Sequence, residues 1–195
     1  MRKSKEQTAE SRRRILQEAA RLYREKGFDG VGVAEIMDAA GLTHGGFYRH
    51  FSSKEALIAE AMAQAFADRL SALKARDDVA GTELLRGFVE GYLSERHLRA
   101  PEKGCPVAAL GSEAAHLGGD VAHVFETGID RVIDVLAQAI GGDTPAHRAQ
   151  ALRLLATLAG AVVISRAAGD RSDLCAEVLA AVRQDDEIAR LLKPG

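Results

Sequence analysis

The sequence predicts an all-α fold, with three short helices up to residue 52 and six longer ones over residues 53–195. Three observations carry that prediction. Apolar side chains recur at three- and four-residue spacing along nearly the whole chain, and no stretch alternates with the two-residue period of a strand. The composition is rich in Ala and Leu, with four Pro and no Trp, which favours helix. Glycines fall at the ends of the periodic segments, where helices stop.

The elements follow in order. Residues 1–7 read as a basic, unstructured arm. From about Thr8, the spacing of Ile15, Leu16, Ala19, Ala20, Leu22 and Tyr23 predicts a helix to Lys26, ended by Gly27. Phe28 can fold back onto the core, and residues 29–32 form a loop. Val33, Ile36 and Met37 make a one-sided stripe on a second short helix, which Gly41 ends. Leu42 and Thr43 turn the chain into a third segment, His44 to Phe51, where Phe47 and Phe51 are apolar anchors among hydrogen-bonding side chains. Two short helices joined by a tight glycine turn make a helix-turn-helix, whose second helix can enter the major groove of DNA.

Serines 52 and 53 supply an N-cap for a long helix carrying Leu57, Ile58, Ala61, Met62, Ala65, Phe66, Leu70 and Leu73 to about Arg76. After a turn at 77–82, Leu84, Leu85, Phe88, Val89, Tyr92 and Leu93 predict a helix ending near Arg99, followed by a loop at 100–104. Helical patterns resume over 105–117, break at Gly118-Gly119, and continue over 120–140 to Gly141-Gly142. The last pair spans about 145–168 and 172–192. In the first, Leu152, Leu155, Ala159, Val162 and Val163 lie among alanines on a smooth apolar surface; in the second, Leu174, Val178 and Val182 form a stripe. Adjacent antiparallel helices of this kind suit the interface of a homodimer built as an intermolecular bundle.

Composition bounds the function. With 28% charged and 47% hydrophobic residues, the chain is that of an ordinary globular protein. No run of about 18 apolar residues appears and the basic N-terminus is no signal peptide, so no membrane partner and a cytoplasmic location are expected. The net charge of -2 hides an asymmetry, because residues 1–26 hold nine Lys or Arg against four Glu. A basic arm on an acidic body points to an anionic partner at one end. Cys105 and Cys175 make neither a disulfide framework nor a zinc spacing. Glu113 and His116 form half of a di-iron Glu-x-x-His motif, but a second copy is lacking and His123 lies across a glycine break, so no metal and no cofactor are expected. Nucleophile-elbow, zincin, phosphate-loop and dinucleotide motifs are also missing from the sequence, which argues against an enzyme.

Gly27-Phe28, Ile36 and Ala39-Ala40-Gly41, followed by Gly41-Leu42-Thr43-x-Gly45-x-x-Tyr48-x-His50-Phe51-x-x-Lys54-Glu55-x-Leu57, closely resemble the N-terminal signature of TetR-family transcriptional regulators. The resemblance covers about residues 10–60 and is architectural beyond them. It implies an all-helical homodimer, usually a repressor, with a helix-turn-helix DNA-binding domain at 1–52 and an effector-binding and dimerisation domain at 53–195. The implied partners are double-stranded DNA carrying a palindromic operator and a small-molecule effector that changes the separation of the two recognition helices. By position, Tyr48, His50 and Lys54 are implied phosphate contacts.

The chemistry of the segment fits. Thr43 stands where an N-cap hydroxyl belongs, and His44 can reach a base edge or a phosphate. Gly45 and Gly46 cost about 1 kcal/mol each against alanine in a helix, and their return is close approach of the backbone to DNA. Arg49 is the best base reader, since a guanidinium fork on guanine is worth about 1–3 kcal/mol of discrimination. Ala34 stands where family members often carry a longer polar side chain, so the preceding helix offers little to a base.

In the body, Phe66, Phe88, Tyr92, Phe125 and Ile129 can line an apolar effector cavity, and are equally what a packed core uses. Pro106 suits the first position of a helix, leaving Cys105 as its N-cap, where the helix dipole favours a thiolate. Cys105 is therefore a candidate electrophile or oxidant sensor, or a border of the effector site; the bland reading is a small buried capping residue. The rival from another class is a small-molecule-binding or catalytic helical bundle with a vestigial helix-turn-helix.

Overall fold

Glycines and short polar side chains set the helix ends in the computed structural model, which describes residues 5–74, 81–169 and 172–193. Ten α-helices and two 3-10 turns occur there, with no strand among the described residues. They are α1 (Lys5–Lys26), α2 (Val33–Ala39), a 3-10 recognition turn (His44–Arg49), α3 (Lys54–Lys74), α4 (Gly81–Tyr92) and α5 (Glu95–Arg99). A 3-10 turn (Pro101–Lys103) leads to α6 (Pro106–Leu117), α7 (Gly119–Ile140), α8 (Pro145–Ala168), α9 (Asp173–Arg183) and α10 (Asp186–Leu191).

The departures from the sequence prediction have local causes. α1 begins at Lys5 rather than Thr8, so part of the expected arm is helical, while Arg2 and Lys3 lie outside the described residues. The turn expected at 77–82 lies largely outside them too. The helix expected to run to Arg99 breaks after Tyr92, because the Ser94 hydroxyl donates to the Gly91 carbonyl and accepts the His97 N–H, capping α5. The last predicted helix likewise splits, since Asp185 accepts from the Glu187 and Ile188 N–H groups and starts α10. Thr144 and Ser172 cap α8 and α9 through their hydroxyls.

Two apolar clusters organise these helices. The first joins α1, α2, the recognition turn and the first half of α3 to Leu110 and Ala114 of α6 and Val121 and Phe125 of α7. The second gathers the end of α3 with α4 to α10. The recognition turn is thus built on a core that reaches into α6 and α7. α8 is long and apolar enough to cross a membrane by composition, a test that core helices also pass. Its apolar residues divide between the second cluster and an exposed stripe described below.

Candidate functional site

The recognition turn is anchored from beneath. Phe47 and Phe51 are buried and stacked, with ring centroids 5.8 Å apart, and Met37 of α2 is buried in the same cluster. Gly41 adopts φ +69, the left-handed conformation that lets α2 end and the chain reverse. The expected recognition helix is 3-10 rather than α over its six residues, and in that geometry residues three apart share a face. Gly45 and Tyr48 therefore stand together. Nothing lies within 4 Å of where a Gly45 Cβ would project, so its backbone is open to a close partner. Gly46 has only ordinary contact with Met37 at that position, 3.6 Å away.

Tyr48 is 76% exposed, with its ring edge-on to Phe47 at 5.1 Å. Thr43, His44, Gly45 and Arg49 are exposed as well, and Gly46, His50 and Lys54 are half-buried at the margin. The structure brings all eight together along the turn and the first residue of α3. One expectation fails. Thr43 precedes the turn in extended geometry, but its hydroxyl makes no cap, and its backbone carbonyl accepts the Gly46 N–H instead, at 3.0 Å. Ser53 does cap α3, accepting the Ala56 N–H at 3.1 Å. Ala34 is an exposed methyl on α2. Sequence reasoning missed Arg12, whose guanidinium lies over the Phe51 ring at 4.8 Å and pairs with Glu60, bracing α1 against α3. An arginine on the polar side of a periodic helix carries no signal of that role.

In the body, Cys105 is the N-cap residue of α6 with Pro106 behind it, and it is 3% exposed. Its side chain makes no cap hydrogen bond. The Cys105 N–H donates to His97 Nε2 at 3.0 Å, and His97 Nδ1 lies 2.7 Å from the Tyr92 carbonyl. The imidazole is therefore neutral, with its proton on Nδ1, where it donates to that carbonyl. Burial holds its pKa down at about 4, against the opposing effect of the Tyr92 carbonyl. A Cβ on Gly104 would meet the imidazole at 2.7 Å, so only glycine leaves room there. Tyr92 packs edge-on to His97 at 4.6 Å, under the Arg69 guanidinium at 5.3 Å. Its hydroxyl lies beside the Cys105 thiol with no other hydrogen-bond partner, and burial raises its pKa. His97 was not legible in the sequence, because its two bonds depend on the break that creates α5.

The five aromatic and aliphatic residues expected around an effector are divided. Phe66 and Phe125 meet edge-on at 5.3 Å in the first cluster, and Phe88 and Tyr92 meet at 5.4 Å in the second. Phe66 lines a surface groove of about 260 Å³ between α3 and α7, its ring seated where Gly128 has no side chain. Ile129 is half-buried between the clusters. The residues are thus split between the two clusters, Phe66 and Phe125 in the first and Phe88 and Tyr92 in the second.

Of the residues expected at a dimer interface, Leu152, Val163 and Leu174 are 46–52% exposed, and Ala159, Val178 and Val182 are half-buried. Leu155 and Val162, also expected there, are instead buried in the second cluster, because the inward face of α8 runs through 151, 154, 155, 158, 161 and 162. The outward stripe runs instead through Leu152, Ala156, Ala159, Val163 and Ala167. Among the described residues there is no group of three or more candidate metal ligands.

Comparison with known proteins places these features. The profile of bacterial regulatory proteins, tetR family, matches residues 15–61, which contain α2, the recognition turn and its anchors. An HTH-type transcriptional regulator of Mycobacterium tuberculosis is 30% identical over 176 residues, covering 84% of this chain and 88% of its own. The chain belongs to the TetR family.

This TetR-family transcriptional regulator is also similar to the transcriptional repressor NemR of Escherichia coli, at 26% identity over 141 residues and 71% of each chain. The crystal structure of E. coli NemR in its reduced form superposes with a TM-score of 0.72 at 24% identity, covering 89% of this chain and 95% of that one. A TetR-family regulator from Agrobacterium tumefaciens superposes with a TM-score of 0.70 at 25% identity, over 92% and 96% of the two chains. The all-helical fold and the helix-turn-helix expected from the sequence are those of the family.

Proposed function

We propose that this regulator is a homodimeric, cytoplasmic repressor without catalytic activity or cofactor, that it binds a palindromic operator, and that a small hydrophobic or electrophilic effector releases it. Residues 1–52 form the DNA-binding unit in this reading, and residues 53–195 hold the effector and the dimer contact. The observation that carries it is the recognition turn: donors face outward over a buried aromatic base, as a reader of a polyanion requires. Tyr48, His50, Lys54 and the backbone at Gly45 and Gly46, open at Gly45, take phosphates and set the register, Thr43 supports them, and His44 and Arg49 read bases. The exposed apolar stripe of α8, with Leu174 and Val178 of α9, supports the dimer.

Release is a linkage between two states of α6. Its N-terminal end carries Cys105, and two hydrogen bonds tie it to the DNA-binding unit. Arg24 of α1 donates to the Gly104 carbonyl at 3.3 Å, and the Phe28 N–H donates to Glu113 at 2.7 Å. An electrophile that adds to the Cys105 sulfur, with its proton passing to the adduct, cannot be housed at a site 3% exposed. The adduct displaces the start of α6, and α1 follows through Arg24 and Glu113. That NemR, a relative, is named a repressor supports the sign of regulation.

The test is an electrophoretic shift on the protein's own upstream DNA. Wild type binds and is released by N-ethylmaleimide, Tyr48→Ala fails to bind while remaining folded, and Cys105→Ser binds but resists the reagent. Wild-type binding by Tyr48→Ala overturns the DNA reading, and release of Cys105→Ser by the reagent overturns the effector reading.

A further inference from the structure

Around the start of α6 the charges do not balance. Arg24 and Arg166 are half-buried, and neither forms an ion pair with any described carboxylate. Arg24 places Nε on the Ala20 carbonyl at 2.9 Å and Nη1 on the Gly104 carbonyl at 3.3 Å. Arg166 places its fork on the carbonyls of Leu98, Ala108 and His97 at 3.2, 3.3 and 2.6 Å. Carbonyl oxygens satisfy some of the five N–H donors on each guanidinium, but they do not neutralise its charge. A cation drawn out of water without a counter-charge is costly, and burial lowers the pKa of both groups accordingly.

Both side chains line the same groove, about 470 Å³ in volume, between the C-terminal end of α1, α6 and α8. The other cation there is already paired, Lys26 with Glu35 at 2.6 Å. Of the two carboxylates, Glu25 is paired with Arg21 at 2.9 Å, whereas Glu113 accepts the Phe28 N–H at 2.7 Å and keeps its charge. Asp68 and Glu102 act on Arg24 from beyond pairing distance. What is left is two guanidiniums, outnumbering the one unpaired carboxylate, against a wall of Val107, Ala108 and Ala109. The Nη hydrogens that these carbonyls leave over can donate to a carboxylate, and the apolar wall suits a compact hydrocarbon body.

We propose that this groove binds a small organic carboxylate, its head group held between Arg24 and Arg166 and its apolar body against α6. The site goes beyond the sensing reading of Cys105 and does not depend on it. It spans α1 of the DNA-binding unit and the body, so its occupant reinforces the arrangement in which the Gly104 and Glu113 bonds are made.

The probe is benzoate, with benzamide as the neutral molecule of the same shape, tested on the full-length protein at matched ionic strength. About 10 mM benzoate raises Tm by about 2–4 °C, as expected for a ligand of the native state of a chain this size. It also moves the Nε–Hε signals of Arg24 and Arg166 in nitrogen-15 NMR, and benzamide does neither. Arg24→Gln and Arg166→Gln each lose the Tm response, whereas Cys105→Ser keeps it while losing its response to N-ethylmaleimide, so the two readings fail separately. Three results overturn the site: an equal response to benzamide, wild-type arginine signals that stay in place, or a benzoate shift that survives in both arginine variants. The NMR result is read on wild type and holds even where a variant folds poorly.

Discussion

The recognition turn and the corner around Cys105 use polar side chains in opposite directions. In the turn, Phe47 and Phe51 face inward and Tyr48, His44 and Arg49 face outward, all within eight consecutive residues. In the corner, His97, Tyr92, Arg24 and Arg166 point inward onto carbonyls and rings, and their partners lie up to 80 residues away. Outward groups are free to trade water for a partner, so changing them alters binding and leaves the fold alone. Inward groups hold the fold, and changing them alters stability first.

The sharpest way to break that contrast is at the buried base of the turn. Phe47→Ala removes a ring that is 1% exposed and costs about 3–5 kcal/mol, so chemical denaturation and DNA binding fail together. In the corner, the same contrast predicts a pH dependence carried by His97. Its folded pKa is about 4, below the 6.5 of the unfolded chain, so the unfolded state binds the proton first. Its contribution is complete above about pH 6.5 and is lost as pH falls towards 4, by about 3 kcal/mol, measurable as a slope in urea midpoints that His97→Gln flattens.

Tyr48→Ala sharpens the outward side. In the proposed dimer one phosphate hydrogen bond per half-site is worth at least about a tenfold change, so the variant loses at least about 100-fold in operator affinity, enough to abolish binding at wild-type working concentrations, while Tm moves by about 1 °C or less. A drop in Tm as large as that of Phe47→Ala would erase the distinction. The smallest effect belongs to the tie between the two regions. Glu113→Ala leaves the Phe28 N–H without its carboxylate and costs about 1–2 kcal/mol in stability. It also weakens the response of DNA binding to N-ethylmaleimide, which an incidental surface bond does not do.

The same contrast governs what the sequence reveals. The turn is written locally: glycine, two phenylalanines and a tyrosine at fixed spacing place every side chain within one short segment, so its exposed and buried faces were legible. Only the 3-10 winding and the missing Thr43 cap were not, because two adjacent glycines leave the backbone of the segment weakly specified. The corner is written across the chain. Cys105 as the N-cap of α6 follows from Pro106, but His97 becomes its partner only because Ser94 breaks the preceding helix, and Arg24 and Arg166 arrive from α1 and α8. Leu155 and Val162 show the same limit. On a helix as uniformly apolar as α8, periodicity does not say which side faces the core.

The most direct measurement of the central claim is selection from randomised double-stranded DNA by the purified wild-type protein and by Tyr48→Ala. The account predicts that wild type enriches a palindrome with two similar half-sites about one or two helical turns apart, and that Tyr48→Ala enriches nothing. Failure of wild type to enrich any palindrome, or recovery of the same palindrome by Tyr48→Ala, would contradict it.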